Sequence, residues 1–411
     1  MTTGAIIARD GHTMTIGIYC FRFVTFLFAL QLFTTSSAAG EDVVRDVSDR
    51  LQKVIERHDI PGMAAAVVKG SHFIASGAAG VRARHGSEKV TLNDQFHLSS
   101  ETKAMTATLC AMLVEEGMLH WGTTVGDAFP NLTAGMPPEY RRITLRQLLT
   151  HRSGFGSDVL GDPEILQTQN DFEKEFPGSP LASRRACVKY LLTRNAGWSP
   201  NHEFIYSNAN YVIAGQMAET VSGKTWEDLM QQCLFKPLGM SSAGFGAPGH
   251  ADSLDQPRGH RADGRSINAG DNDADNPDFY GPSGRVHCTV IDWARFAAFH
   301  ATEGRSCPGI LKKESFAVLH APVSDSPSDP SIQTIAPGAS GYAMGWFVFP
   351  PGLLTHSGTN LRWFAEMTIV PKDQLSVVVA CNQGGPKAEL ACLEAMQGLI
   401  DDYYKSRPTG E

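Results

Sequence analysis

The chain has 411 residues, 42% of them hydrophobic, and carries 35 Lys and Arg against 43 Asp and Glu, a formal net charge of −8. That length supports a core larger than one small domain needs, and an acidic chain without Lys/Arg clusters is excluded as an electrostatic nucleic-acid binder. No C-x-x-C or H-E-x-x-H occurs, so no motif calls for a metal, a dithiol or another cofactor.

In chain order, residues 1–39 read as an export signal. Arg9 and Arg22 lie in a long n-region, Phe23–Phe33 is an apolar run, and Ser37-Ala38-Ala39 supplies small residues for cleavage. The run is too short for a comfortable span. An uncleaved anchor remains the alternative, and the remainder, 40–411, is expected to form one exported, periplasmic or secreted unit. Removing Cys20 from the eight cysteines leaves an odd number, so an oxidising compartment would hold at least one free thiol. Cys288 with Cys307 and Cys381 with Cys392 are the nearer pairs in sequence, and spacing alone establishes neither bond.

A helix is expected from about Asp42 to His58, followed by strands over Met63–Val68 and His72–Ala78 with a turn at Lys69-Gly70-Ser71. Residues 104–245 are mostly helical in pattern. Residues 250–284, rich in Asp, Gly, Asn and Pro, read as a solvated acidic loop; its Asp271–Asp275 stretch lacks the Gly and Glu of a calcium loop. Four β-like runs follow at Tyr342–Phe349, Leu353–His356, Trp363–Val370 and Leu375–Ala380, then a helix over about Ala388–Tyr404. Strands at both ends and helices between them predict an α+β fold. One antiparallel sheet would be built from about 42–103 and 285–405, beside a mostly helical insertion at about 104–284.

Three short motifs carry chemistry. Ser100-Glu101-Thr102-Lys103 is the one Ser-x-x-Lys of the chain, placed where a strand-like run turns into a helical pattern. Three-residue spacing puts Ser100 and Lys103 on one helix face, where a lysine with a destabilised ammonium can activate a hydroxyl. The helix N-terminus disfavours the protonated amine and favours a nearby oxyanion. Tyr206-Ser207-Asn208 is the one Tyr-x-Asn, and His356-Ser357-Gly358 is the one His/Lys-Ser/Thr-Gly triplet. Tyr206 is the second acid/base candidate, and a lysine ammonium beside it would favour its phenolate. Asn208 would present its amide to the substrate or to Lys103. His356, on an apparent edge strand, would donate to a carboxylate or relay a proton.

Ser-x-x-Lys, Tyr-x-Asn and His-Ser-Gly in this order resemble the class C β-lactamase superfamily, which includes D-alanyl-D-alanine peptidases, D-aminopeptidases and carboxylesterases. Leu148-Leu149-Thr150-His151-Arg152-Ser153-Gly154, Tyr206–Tyr211, and Gly281–Gly284 leading into Asp292–Phe296 are similar to further stretches of it. The likeness runs from about residue 45 to 400. It implies a serine β-lactamase/penicillin-binding-protein-like fold with the cleft between sheet and helices. Ser100 would be the nucleophile and Lys103 and Tyr206 the acid/base pair. Asn208, His356, Ser357, Gly358 and Thr359 would line the substrate site, with the backbone N–H of Thr359 joining that of Ser100 in the oxyanion hole.

Many relatives have small residues after the third motif, where this chain has Asn360-Leu361-Arg362-Trp363. Such side chains would narrow the cleft, or Arg362 would hold a substrate carboxylate. The expected activity is acyl transfer through Ser100 on D-amino-acid peptides, β-lactams or esters, possible partners being such small molecules, peptides or cell-wall peptidoglycan. The competing reading is a catalytically silent cell-wall-binding or scaffold relative. An α/β-hydrolase is excluded because no Gly-x-Ser-x-Gly elbow occurs.

Overall fold

The computed structural model describes residues 44–156, 175–176, 178–194, 203–271, 273–323 and 330–407. The expected export signal and the start of the first expected helix lie outside them. Among the described residues, no helix is long and apolar enough to cross a membrane.

The main sheet collects β1 (Arg45–Asp46), β2 (Gly62–Lys69) and β3 (His72–Gly80) from the first part of the chain. From the last part come β9 (Gly341–Tyr342), β10 (Phe347–Phe349), β11 (Leu353–Thr359), β12 (Phe364–Val370) and β13 (Leu375–Cys381). Their order is β1-β3-β2-β13-β12-β11-β10-β9, antiparallel except for the short β1–β3 pair. Smaller pieces fall between in sequence. β4 (Gln95–His97) and β5 (Gly244–Phe245) flank β8 (Val286–Thr289), and β6 (Gly259–His260) pairs with β7 (Ser266–Ile267).

Strand alternation divides the apolar residues between two cores. On β13, Val377 and Val379 face the layer of α1 (Ser48–His58) and the C-terminal helix, while Val378 and Ala380 face the larger core. That larger core holds α2 (Thr102–Glu115), α3 (Pro180–Thr193), α4 (Asn208–Ser222) and α5 (Val290–Ala301); the C-terminal helix, α6, spans Pro386–Lys405. Twelve residues of α2 are buried, from Thr102 to Leu113. An apolar helix of this kind has no solvent face and becomes the pillar against which the site is built.

The first expected helix begins only at Ser48, its Arg45–Asp46 stretch being the strand β1. Three further details differ from the expectations. The run Tyr342–Phe349 is two strands, β9 and β10, broken at Gly345. A Cβ at Gly345 would stand 2.5 Å from Ala104 Cα, and its φ is +87°, so this turn exists to let α2 approach. β11, which carries the third motif, is not an edge: β10 and β12 bond it on both sides. The acidic stretch is not solvated throughout, because the Asp275 side chain is only 12% exposed and is held by His97 and Arg285. The seven described cysteines are free thiols, including both pairs nearest in sequence.

Candidate active site

Ser100 sits in a 3-10 turn, Ser99–Glu101, that feeds directly into α2. The turn lies against β11, where a Cβ on Gly358 would fall 2.1 Å from Leu98 O and 2.9 Å from Ser100 N. Glycine there is what lets the first and third motifs touch. Thr359, the next residue, ends β11 half-buried at the same place.

Lys103 is the buried second residue of α2, one turn after Ser100. Its Nζ lies 3.0 Å from Ser100 Oγ, 2.8 Å from Asn208 Oδ1 and 2.9 Å from the Ser283 carbonyl. Burial pushes its pKa well below the ordinary lysine value. Asn208 starts α4, and its Oδ1 also accepts the Ser283 hydroxyl at 2.7 Å. Of the two roles open to Asn208, its amide oxygen fills the one toward Lys103.

Tyr206 precedes α4, and its ring centroid lies 5.0 Å from Lys103 Nζ. Burial raises its pKa, while a hydrogen bond with Ser100 works the other way. The direction is toward a neutral phenol, not the phenolate that a lysine ammonium would favour. The ring is caged by His151 at 4.3 Å and by Tyr342 and His356, each at 6.2 Å between centroids.

His356 is buried on β11. Its Nδ1 lies 2.7 Å from the Ser357 carbonyl and its Nε2 3.2 Å from the Tyr342 hydroxyl. Nδ1–H therefore donates, Nε2 accepts, and the imidazole is neutral. Burial, first of all, holds its pKa down to about 3. Ser357 pairs with Glu366 across the ladder, and Arg362 turns to Asp273 and its own neighbour, the Asn360 carbonyl. Among the described residues, no group of three or more His, Cys, Asp or Glu side chains is placed to hold a metal.

Ser100, Lys103, Tyr206 and Asn208 thus converge from two distant stretches of chain, with Gly358 and Thr359 against the same turn. The arrangement puts a hydroxyl between a water-stripped amine and a phenol at a helix start, the components needed for acyl transfer.

A family model, Beta-lactamase, matches residues 47–397. The chain belongs to the Beta-lactamase family. It is by that membership a serine hydrolase of the β-lactamase and penicillin-binding-protein type. Penicillin-binding protein 4 of Amycolatopsis lactamdurans is 27% identical over 345 residues, covering 82% of this chain and 84% of the relative. Protein flp of Staphylococcus aureus is 23% identical over 355 residues, covering 83% of this chain, which spans only 64% of that longer relative. Among solved structures, the octameric penicillin-binding protein homologue from Pyrococcus abyssi has a TM-score of 0.68 at 22% identity, covering 86% of this chain and 77% of the other. A class C beta-lactamase from Rhodobacter sphaeroides has a TM-score of 0.65 at 20% identity, covering 86% and 99%. At these identities the structures show the shared Beta-lactamase-family fold.

Several residues of the site carry no motif of their own. Ser283 supplies a carbonyl to Lys103, Tyr342 holds His356, and Tyr211 donates to the Leu149 carbonyl at 2.7 Å. His151, Tyr211 and Ser283 had a sequence signal, through the stretches Leu148–Gly154, Tyr206–Tyr211 and Gly281–Gly284. Tyr342 looked like one more residue of a β-run.

Proposed function

We propose that the protein is an exported hydrolase that forms an acyl-enzyme on Ser100, acting on D-amino-acid peptides or amides and on small esters. The observation that carries this reading is the bonding of Lys103. A neutral amine has two hydrogens, and the Asn208 and Ser283 oxygens accept both. Its lone pair is left for the third partner, the Ser100 hydroxyl. Lys103 then takes the Ser100 proton as the oxygen attacks the substrate carbonyl.

The backbone N–H groups of Ser100 and Thr359 receive the developing oxyanion; losing one such donor costs about 10²–10³-fold in rate. The Tyr206 phenol gives its proton to the leaving amine or alcohol, and the Lys103 ammonium, whose Nζ lies 5.0 Å from the Tyr206 ring centroid, returns one to the phenolate. Water then attacks the ester carbonyl to release the acid and regenerate Ser100.

The neutral, doubly bonded His356 supports peptides, amides and esters over β-lactams. A β-lactam carboxylate would meet an uncharged imidazole at the third motif, and a cation there needs a proton that burial disfavours. Export is supported by the Phe23–Phe33 run and the small residues at Ser37-Ala38-Ala39.

The test is fluorophosphonate labelling read by intact mass, followed by turnover of nitrophenyl esters, D-aminoacyl anilides and a chromogenic β-lactam. One adduct on the wild type, absent from Ser100→Ala, is expected, with turnover of esters or anilides lost in Ser100→Ala and Tyr206→Phe. A folded wild type that takes no adduct and turns over none of these substrates would overturn the reading in favour of a binding role.

A further inference from the structure

The residue before the nucleophile is conformationally costly. Ser99 has φ +50°, in the left-handed region that L side chains avoid and glycine enters freely. Its side chain is buried and its partners form a chain of contacts. The Ser99 Oγ lies 2.9 Å from His97 Nδ1, which also accepts the Ser99 N–H at 3.1 Å. With Nδ1 accepting, Nε2 carries the hydrogen and donates to Asp275 Oδ1 at 2.7 Å. The other Asp275 oxygen accepts from Arg285 Nε, also at 2.7 Å, and Arg285 further pairs with Asp278.

Burial alone would raise the Asp275 pKa, but Arg285 and His97 hold it at about 2, so the carboxylate stays charged. The Asn276 N–H donates to the same oxygen that faces His97. Both ends of the chain are anchored in the small sheet. His97 pairs with His287 across β4 and β8, Arg285 immediately precedes β8, and the Leu98 N–H donates to the Val286 carbonyl at 2.8 Å.

Carboxylate, imidazole and hydroxyl stand here in the order of a serine-hydrolase triad, yet Ser99 is only 1% exposed and its hydroxyl meets no substrate. What the network holds is backbone. Building on the acyl-Ser100 reading, we propose that Arg285, Asp275 and His97 clamp Ser99 in its left-handed conformation and so aim the hydroxyl and N–H of Ser100. His97 and Asp275 are positioning residues. They replace the freedom that a glycine at position 99 would give with a side-chain restraint. Without the restraint Ser99 relaxes out of this conformation, and the nucleophile turn swings away from Lys103 and from Gly358.

The deciding experiment is a rescue. In His97→Ala, kcat for an ester that the wild type hydrolyses is expected to fall about 10- to 100-fold with KM little changed. Ser99→Gly added to His97→Ala is expected to restore kcat to within about threefold of wild type, since glycine adopts the conformation unaided. A merely structural role for His97 would leave the double variant as slow as the single one. That result, or a His97→Ala enzyme of wild-type kcat, overturns the proposal. If His97→Ala does not fold, Asp275→Asn with and without Ser99→Gly gives the same comparison.

A readout independent of turnover separates this claim from the acyl-enzyme reading. The Glu101 N–H, bonded to Leu98 O, and the Thr102 N–H, bonded to Ser99 O and Ser100 O, report the turn by hydrogen exchange. Exchange about tenfold faster in His97→Ala, and slowed again in the double variant, supports the clamp even if no substrate or probe reacts with Ser100. Unchanged exchange in His97→Ala sinks it even if Ser100 proves to be the nucleophile.

Discussion

His151 packs against Tyr206, 4.3 Å between ring centroids with a tilt of 36°. It is also the anchor of the loop that carries the phenol. Its Nδ1 accepts the Ser207 N–H at 3.2 Å and the Asn210 side-chain amide at 3.0 Å. Burial pushes its pKa well below the usual imidazole range, so both acceptor bonds persist. His151→Ala removes a wall of the phenol cage and strands two buried donors. The expected cost is about 2–4 kcal/mol of stability with kcat down at least tenfold, measured by denaturant melts and ester turnover. A variant that is equally stable and equally active would show that Tyr206 needs no such support.

The pH dependence of kcat/KM tests the base. Because burial lowers the Lys103 pKa, its deprotonated form is expected to be reached well below the ordinary lysine value, and the rate should be level through the weakly alkaline range. A rate that keeps climbing tenfold per unit up to about pH 10 would mean that Lys103 behaves as an ordinary lysine. Lys103→Arg, which cannot lose its proton there, should lower the rate by at least about 10³-fold while leaving the fold intact.

Glu101 gives a stability prediction. Its carboxyl is fully buried, and burial raises its pKa well above the carboxylate range; the Met367 N–H opposes this only in part. The folded form therefore holds a proton that the unfolded chain releases near pH 4.5. Stability from this group is full below that value and is lost as pH rises toward the folded pKa, at about 1.4 kcal/mol per unit. Glu101→Gln removes the titration, so its melting temperature relative to wild type should increase between pH 5 and pH 8. A difference independent of pH would contradict this assignment.

Gly358→Ala tests the contact between the first and third motifs. The added methyl would meet the Leu98 carbonyl at 2.1 Å, a backbone atom that no rotamer change can move. The expected result is a loss of about 3 kcal/mol or more, with the fluorophosphonate reaction of Ser100 slowed at least 100-fold in whatever protein still folds. Wild-type labelling by a stable variant would show that β11 and the nucleophile turn can separate without loss.

Much of the fold was legible because strands announce themselves by composition and by period. The hairpin of β2 and β3 and the runs of β11, β12 and β13 appear in the sequence within a few residues of their ends. The Tyr342–Phe349 run misled because its polarity is that of one strand, and its break at Gly345 answers to α2, a helix more than two hundred residues away. His356 looked like an edge residue because nothing local reports that β10 folds back over it. Asp275 looked solvated because its loop is acidic, and the side chains that hold it, Arg285 and His97, lie outside that loop.

What the sequence by itself determined is the inventory: a serine and a lysine at helical spacing, a tyrosine and an asparagine two apart, and a glycine after His356-Ser357. These follow from local geometry, which depends only on neighbours in the chain. The tertiary structure alone decided the state of those groups. Whether Lys103 is an amine or an ammonium, Tyr206 a phenol or a phenolate, and His356 neutral or charged depends on how much water is excluded and which acceptors replace it. Those partners arrive from Ser283, Tyr342 and Ser100, brought together only when the sheet closes over α2.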